Sequence, residues 1–351
     1  MKRLFPLLLA SCATLADGAP GLDNPPSARA GPFRLVTVGE LGQNRVPPYA
    51  VDDDKNRLRD ASVLDSDEDP TTLEVEGYFG ASVEDAPVDE PSTRIARLHA
   101  IDGRSFDRDL ETVLEPDPEL SWQGGRLGSP SVLFDADGVR RIYYEAAGGI
   151  GLAIDGDDGF VSNPDPVLTQ ADIPWATAPL GSPGVVRMED DTYRLYFDTE
   201  IAGEPVIGFA SSDDGITFRD RGPIIEMGHS ESAVDAAFVG SPFPVLATSS
   251  EGRPILYVYY TAIANSGKQS IALAARFIDP EAVEDGPEPL DKSPSSMYGP
   301  AGSVQPHEPA VIRFSTFSLL FTTQKTARDA DDVVVTVGVS PGNIELPPAE
   351  P

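Results

Sequence analysis

The stretch that decides the fold runs over residues 128–160 and reads GSPSVLFDADGVRRIYYEAAGGIGLAIDGDDGF. It holds a short apolar run, an aromatic-rich run and a third apolar run. Turns rich in Gly and Asp separate them, which is the pattern of consecutive β-strands. Residues 181–218 repeat the same order of elements. Because self-similarity along a chain is the signature of a repeat architecture, this repeat guides the interpretation of the whole sequence.

The tripeptide Gly-Ser-Pro marks the start of the repeats. It occurs at residues 128–130, 181–183 and 240–242, becomes His-Glu-Pro at 307–309, and is most divergent at 59–61, where the chain reads Arg-Asp-Ala. Each marker is followed by a short apolar strand, an aromatic-rich strand and a third strand. Three units also have a short outer strand, predicted at residues 112–114, 166–168 and 223–225.

Five such units predict an all-β fold, a five-bladed β-propeller with four-stranded blades. The predicted blades cover about residues 60–118, 128–170, 181–228, 240–290 and 307–345. The last unit lacks a fourth strand, so we expect the N-terminal strand at 32–38 to close the ring in the last blade. Closure of this kind removes exposed strand edges. A β-sandwich of similar hairpins is the alternative, and the common order of elements in the units favours the propeller.

A turn at residues 211–218 (SSDDGITF) resembles the Asp-box of sialidases and related propellers. In such a turn Asp accepts hydrogen bonds from backbone amides, Gly takes a positive φ, and the aromatic residue packs into the blade. We therefore expect Asp214, Gly215 and Phe218 to have structural roles.

The charge balance is strongly acidic. Lys and Arg number 26 and Asp and Glu number 57, which gives a net charge of −31. Nucleic-acid binding needs clustered cations, so the composition argues against a nucleic-acid partner and against a basic patch that docks on anionic lipid. We expect a monomer.

The N-terminus predicts a lipid anchor. Lys2 and Arg3 precede the apolar run 4–10, as in a secretory signal, and this run is too short to cross a bilayer. Residues 9–12 (Leu-Ala-Ser-Cys) resemble the bacterial lipobox, and Cys12 is the only cysteine of the chain. The resemblance implies lipidation of Cys12, and Ala13 in the next position implies the outer membrane. An ordinary signal peptide with an incidental cysteine is the alternative.

These observations divide the chain into four parts: a lipoprotein signal peptide over residues 1–11, a flexible tether over 12–31, the propeller over 32–346, and a tail over 347–351. The predicted location is the bacterial cell envelope, with a lipid anchor in the membrane.

The repeats resemble the propellers of glycoside hydrolase family 43 and its relatives in families 32, 62, 68 and 130, over roughly residues 32–345. Family 43 implies three central carboxylates: a general base on the first blade, a second Asp on the third and a general acid on the fourth. Asp60 matches the first. Ser182 and Ser241 stand at the other two positions, and serine does not replace a general acid. The resemblance therefore implies a glycosidase-like propeller without the usual three-carboxylate site.

The fifth repeat places Glu308 where the other repeats have Ser or Asp. In a closed ring we expect Glu308 to face Asp60. Three roles are open for these two side chains: an acid–base pair, ordinary hydrogen bonds to ring amides, or the binding of a ligand or ion. His307 lies in a segment that resembles the fifth-blade segment of family 43, in which a histidine approaches a central metal ion. Calcium or another ion at the propeller axis therefore remains a hypothesis, with His307 as a metal ligand, and no cofactor is certain.

Two tryptophans have equivalent positions. Trp122 and Trp175 each precede the glycine of a Gly-Ser-Pro marker by six residues. Their rings are candidates for stacking on sugar rings. The alternative is that each tryptophan covers the end of its own blade and has only a structural role. The marker serines Ser129, Ser182 and Ser241 are candidate ligand-binding residues at the axis.

Three functions remain open. The leading hypothesis is a surface-anchored propeller that binds carbohydrate, with polysaccharide as the partner. The second is an active glycoside hydrolase that uses Asp60 and Glu308, or loop acids such as Glu231 or Asp235. The third is a protein-interaction scaffold.

Overall fold

A computed structural model describes residues 31–35, 56–66, 74–83, 92–100, 106, 110–248, 253–278, 289–299, 305–313, 318–325 and 333–340. The predicted signal peptide with Cys12, residues 12–30 of the tether, the C-terminal tail and residues 36–38 of the predicted closing strand lie outside these residues.

The described residues form β-strands and two short 3-10 helices, at Ser121–Gln123 and Gln170–Asp172. The first ten strands are β1 (Arg34–Leu35), β2 (Asn56–Asp65), β3 (Val75–Val83), β4 (Arg94–Ala100), β5 (Glu111–Leu114), β6 (Gly128–Phe134), β7 (Arg140–Ala146), β8 (Gly149–Gly156), β9 (Gly159–Ser162) and β10 (Gly181–Arg187). The others are β11 (Tyr193–Ile201), β12 (Glu204–Ser212), β13 (Arg219–Glu226), β14 (Phe238–Thr248), β15 (Pro254–Ile263), β16 (Gln269–Phe277), β17 (Asp291–Lys292), β18 (Gln305–Arg313), β19 (Ser318–Lys325) and β20 (Val333–Ser340).

The strands pair into five antiparallel sheets of four strands. Sheets 1 to 4 each take four consecutive strands, β2–β5, β6–β9, β10–β13 and β14–β17. In sheet 5, β18, β19 and β20 are joined by β1, where Arg34 lies opposite Val339 and Leu35 opposite Gly338. The predicted all-β propeller with four-stranded blades is confirmed.

The first strands of the sheets lie side by side. β2 contacts β6, β6 contacts β10, β10 contacts β14, β14 contacts β18, and β18 contacts β2. We call β2, β6, β10, β14 and β18 the inner strands. Among the described residues, no helix has the length and apolar character needed to cross a bilayer.

One outer strand differs from the prediction. β5 and β13 contain the predicted segments 112–114 and 223–225, but the outer strand of sheet 2 is β9, at Gly159–Ser162. A tight hairpin places Gly159 opposite Gly156, so the chain pairs with β8 as soon as it has turned. The predicted segment 166–168 contributes only one isolated bridge, between Leu168 and Ile150.

Large apolar side chains fill the space between neighbouring sheets. Phe79 on β3 and Phe321 on β19 are fully buried, and the ring of Phe106 contacts both at centroid distances of 5.5 and 5.7 Å. Burial of such a side chain contributes roughly 1.5–3 kcal/mol, so these contacts hold sheet 1 against sheet 5.

The Asp-box-like turn connects two sheets. Oδ1 of Asp214 accepts hydrogen bonds from the N–H groups of Ile216 and Thr217, both at 2.8 Å. From sheet 2, Arg141 donates to the carbonyl oxygen of Asp214 and Tyr143 to that of Gly215, each at 2.8 Å. The turn therefore docks sheet 3 on sheet 2, the structural role that its sequence indicates.

We predict that Asp214→Ala lowers the free energy of unfolding by about 1–2 kcal/mol, because the two turn amides lose their acceptor. Burial opposes ionisation, but the N–H groups of Thr217 and Ile216 hold the pKa of Asp214 below its usual value. This stabilisation is present above the usual pKa of Asp and is lost as the pH falls through the lowered pKa of the folded state. The difference from the wild type therefore shrinks in acid.

Urea unfolding at several pH values checks this prediction. Asp213→Ala is the matched control, because the Asp213 side chain is 77% exposed and its 3.5 Å ion pair with Arg219 is a surface pair of little worth. Equal unfolding free energies for Asp214→Ala and Asp213→Ala at neutral pH would contradict it.

Candidate ligand site between the inner strands

The five inner strands share one distortion. Each has a bulge at its repeat marker, and the middle residue of the marker has a left-handed backbone although it is not glycine. The φ values are 53° at Asp60, 44° at Ser129, 42° at Ser182, 49° at Ser241 and 53° at Glu308. A left-handed conformation costs a non-glycine residue roughly 1–2 kcal/mol, so the surroundings must stabilise it at each position.

The bulges surround a small central cavity of about 30 Å³. It is lined by the five left-handed residues, by the residue that follows each of them, and by Phe243. A cavity needs at least roughly 10–15 Å³ to hold one water molecule. We call the cavity and the side chains around it the central site. The described residues leave room there for a water or a single hydroxyl group, not for a sugar ring.

Side chains from the preceding sheet hold four of the bulges. Each accepts a hydrogen bond from the N–H of the left-handed residue and comes from the second strand of its own sheet. The pairs are Ser182 to Glu145 at 3.1 Å, Ser241 to Asp198 at 2.9 Å, Glu308 to Thr261 at 2.9 Å, and Asp60 to Thr323 at 3.0 Å. The acceptors have equivalent positions, each opposite the first residue of a repeat marker.

Sheet 1 is the exception, because its residue at the equivalent position is Gly80, opposite Arg59. The N–H and the hydroxyl of Ser129 donate instead to Oδ2 of Asp60, at 3.2 and 3.3 Å. A Cβ on Gly80 would lie 3.2 Å from that oxygen and 2.5 Å from Oγ of Ser92. Asp60 thus supplies the hydrogen-bond acceptor that Gly80 lacks. Because Gly80 has no side chain, there is space for the carboxyl group of Asp60.

The predicted pair of Asp60 and Glu308 is brought together, but in direct contact. Oε2 of Glu308 accepts a hydrogen bond from the N–H of Asp60 at 3.2 Å. Burial, and then the charge of Glu308, raise the pKa of Asp60 well above its usual value. The acid and base of a glycosidase lie roughly 5–9 Å apart, across the bond that they cleave. Here the carboxyl group of Glu308 bonds to the backbone of Asp60, and the acid–base assignment stays a prediction.

His307 has local partners. Its Nδ1 lies 3.2 Å from the carbonyl oxygen of Gln305, and its Nε2 lies 3.6 Å from Oε2 of Glu308. Within the described part of the chain, no group of three or more His, Cys, Asp or Glu side chains is placed to hold a metal ion. The predicted metal role of His307 therefore finds no ligand set among these residues.

The central site also contains two carboxylates that the sequence analysis missed. Glu145 and Asp198 are half-buried, and a Cβ on Gly181 would lie 3.1 Å from Oε2 of Glu145 and 2.6 Å from Oδ1 of Asp198. The N–H of Ser182 bonds to Glu145, and the Ser182 side chain opposes the rise in the pKa of Asp198. A side chain at position 181 would therefore displace the carboxyl group of Asp198.

Their surroundings favour the protonated forms. Burial and the neighbouring Asp198 raise the pKa of Glu145 to about 7, although the N–H of Ser182 opposes the shift. Burial also raises the pKa of Asp198, against the hydrogen bonds from Ser241 and Ser182. A sequence signal for the pair existed: RIYYE (141–145) and RLYFD (194–198) both carry an acid at the fifth position of the aromatic strand.

The marker serines take part in the hydrogen bonds of the central site. Ser129 donates twice to Asp60, Ser182 donates its N–H to Glu145, and Ser241 donates its N–H to Asp198. All three are half-buried at the central site. Their predicted role in ligand binding stays a prediction.

The two tryptophans have equivalent environments, as their spacing indicates. Trp122 stacks on Tyr144 at a centroid distance of 6.1 Å and donates its ring N–H to the carbonyl oxygen of Pro164. Trp175 stacks on Phe197 at 6.0 Å and donates to the carboxylate of Asp220. Each ring therefore covers an aromatic residue of its own sheet. Stacking on sugars stays a prediction.

The two loop acids differ. Glu231 is exposed. Asp235 is 3% exposed and accepts hydrogen bonds from Tyr260 at 2.9 Å and from Lys292 at 2.7 Å. Asp235 is therefore occupied by a structural ion pair.

Solved structures resemble this fold closely, with low sequence identity. A thermostable family-43 glycoside hydrolase is 16% identical with a TM-score of 0.58, and the match covers 83% of this chain and 93% of that one. An endo-arabinase from Bacteroides thetaiotaomicron is 13% identical with a TM-score of 0.57, over 86% and 98% of the two chains. An α-L-arabinofuranosidase from Lactobacillus brevis is 10% identical with a TM-score of 0.60, over 84% and 94%.

These similarities establish the propeller fold of glycosidases, and at such identities they establish the fold alone. No protein-family profile matches the chain. No curated protein matches it in sequence.

We predict that Glu145→Gln changes the pH dependence of stability. The folded protein keeps the Glu145 proton up to about pH 7, whereas the unfolded chain releases it near the ordinary value of 4.5. The wild type therefore loses stability as the pH rises through this window, by up to about 3 kcal/mol, and the variant does not lose this part. The stability of the variant relative to the wild type should rise with pH.

Denaturant titrations across that window measure the effect. Asp213→Asn removes an exposed carboxylate and is the control. A constant difference between Glu145→Gln and the wild type at all pH values would show that Glu145 titrates as an ordinary carboxylate.

Proposed function

We propose that this protein is a lipid-anchored, glycosidase-like propeller that binds carbohydrate at the end of the molecule where the inner strands begin. Five four-stranded sheets, cyclic contacts among their inner strands and the pairing of β1 with β20 support a closed five-bladed ring.

The observation that carries the proposal is the chemistry of the central site. Ser129, Ser182, Ser241, Asp60 and Glu308 line a cavity too small for a sugar ring. Behind them, the carboxyl groups of Glu145 and Asp198 accept hydrogen bonds from the N–H groups of Ser182 and Ser241. Such groups suit hydrogen bonding to the hydroxyl groups of a sugar that lies over the cavity. They do not suit a glycosidic bond placed between two acids, so binding is favoured over hydrolysis.

Similar structures suggest the first ligands to test. Among them are an endo-arabinase, an endo-1,4-β-xylanase and an α-L-arabinofuranosidase. Arabinan and xylan are therefore the first polysaccharides to try, with fungal and bacterial polysaccharides beside them.

The anchor rests on the lipobox resemblance at residues 9–12 and on the single cysteine of the chain. Each acyl CH₂ buried in a bilayer contributes about 0.8 kcal/mol, so several acyl chains on Cys12 hold the protein firmly. Expressed in a Gram-negative host, the full chain should incorporate labelled palmitate and fractionate with the outer membrane, while Cys12→Ser should do neither. Palmitate incorporation by Cys12→Ser would overturn the anchor.

Carbohydrate binding is tested with the full chain in detergent, by affinity electrophoresis in gels that contain each polysaccharide. We expect retardation by at least one polysaccharide. Asp198→Asn and Ser182→Ala should weaken the binding by roughly 10- to 100-fold, the effect of losing one hydrogen bond to a charged group. Asp213→Asn should bind like the wild type. Absence of binding to the whole panel would overturn the proposal in favour of a protein-interaction scaffold.

Glu145 supports a second candidate, an active glycoside hydrolase. A carboxyl group with a pKa of about 7 beside a second carboxylate is suited to general acid catalysis at neutral pH. Release of reducing ends that disappears in both Glu145→Gln and Asp198→Asn would establish this function. Release that disappears in Asp60→Asn but persists in Glu145→Gln would return the reaction to Asp60 and Glu308.

A further inference from the structure

A second and larger cavity lies beside the central site, between sheets 1 and 2. Its volume is about 440 Å³. One wall is formed by Thr93 and by Arg94 at the start of β4, and the other is the loop from β5 to β6, with Glu115, Asp117 and Ser121. Pockets for small ligands occupy roughly 300–1,000 Å³, so this cavity has space for one sugar ring.

Two consecutive residues link the surroundings of this cavity and of the central site. Thr93 lines the cavity, and its neighbour Ser92 is buried against Asp60: a Cβ on Gly80 would lie 2.5 Å from Oγ of Ser92 and 3.2 Å from Oδ2 of Asp60. The chain therefore passes from the surroundings of Asp60 directly to the wall of the larger cavity.

The lining suits a neutral sugar. Arg94, Glu115 and Asp117 offer charged donors and acceptors, and Thr93 and Ser121 offer hydroxyl groups. Pro116, Pro118 and Leu120 add apolar surface for the C–H groups of a sugar ring. Two carboxylates against one guanidinium, in a chain with a net charge of −31, disfavour an anionic ligand.

The loop wall is held in place. The N–H of Asp117 donates to Oε1 of Gln123 at 2.6 Å, and Nε2 of Gln123 donates to the hydroxyl of Tyr144 at 2.9 Å. Gln123 is fully buried. Because the loop is tied to sheet 2, a ligand meets a preorganised wall and loses less free energy in ordering it.

We propose that this cavity binds the second unit of a neutral oligosaccharide whose first unit lies over the central site. The proposal rests on the carbohydrate-binding function above and adds to it the length, direction and charge of the ligand. The sugar chain runs from the central site outward between sheets 1 and 2.

The test measures the affinity of the full chain, in detergent, for arabino- and xylo-oligosaccharides of one, two and four units. Arg94→Met removes the guanidinium and keeps the length of the side chain. Ser121→Arg starts from an exposed position and fills the cavity, where the new cation pairs with Glu115 or Asp117. Ser266→Arg makes the same substitution in an exposed turn outside both cavities and is the matched control.

We expect both cavity variants to weaken the binding of two- and four-unit ligands by about tenfold or more and to leave the binding of a single unit unchanged. Ser266→Arg should bind every ligand as the wild type does. Oligogalacturonate, an anionic probe, should bind more weakly than the neutral ligands.

Other outcomes overturn separate claims. If both variants bind the two-unit ligand as tightly as the wild type, the cavity is not a subsite, although the proposed function stands. Tighter binding of oligogalacturonate would overturn the ligand class. If the wild type binds no oligosaccharide and no polysaccharide of the panel, the proposed function itself fails, and the subsite fails with it.

Discussion

The architecture depends on one hydrogen bond that recurs between neighbouring sheets. At each repeat marker a non-glycine residue adopts a left-handed backbone, and a side chain of the preceding sheet accepts its N–H, as Glu145 does for Ser182. An unpaired buried N–H would cost about 1–3 kcal/mol in addition to the backbone strain. The hydrogen bond removes this cost. It also fixes the position of each inner strand relative to the preceding sheet.

The same bond determines the chemistry of the central site. Glu145, Asp198 and Asp60 accept hydrogen bonds from backbone amides of the bulges, so their carboxyl groups are kept close to the bulges. Burial and repulsion between carboxylates raise all three pKa values, so the site combines hydroxyl groups with carboxyl groups that hold their protons to a higher pH than usual. Such a surface offers donors as well as acceptors to a polyhydroxylated ligand. The larger cavity between sheets 1 and 2 extends this surface by one sugar ring.

Sequence reasoning succeeded where the signal was local or repeated, and it failed where the signal lay in strand pairing. The propeller with four-stranded blades followed from the repeat, and so did the equivalence of Trp122 and Trp175. The outer strand of sheet 2 was misplaced, because the tight turn at Asp157 and Asp158 begins the pairing of β9 earlier than the apolar segment 166–168 suggests. Glu145 and Asp198 were missed, since both follow apolar residues and look like strand ends.

The sequence by itself determined the class of fold and the repeat markers, because turn chemistry and the Gly-Ser-Pro repeat are encoded within short stretches. Only the tertiary structure decided which acids meet and what they do. Ser182 meets an acid 37 residues away, and Ser241 meets one 43 residues away. These partners depend on strand register and on the contact between sheets, and no short stretch of sequence carries either. The pKa of Glu145 has the same origin, because desolvation and a neighbouring carboxylate arise only once the sheets are packed.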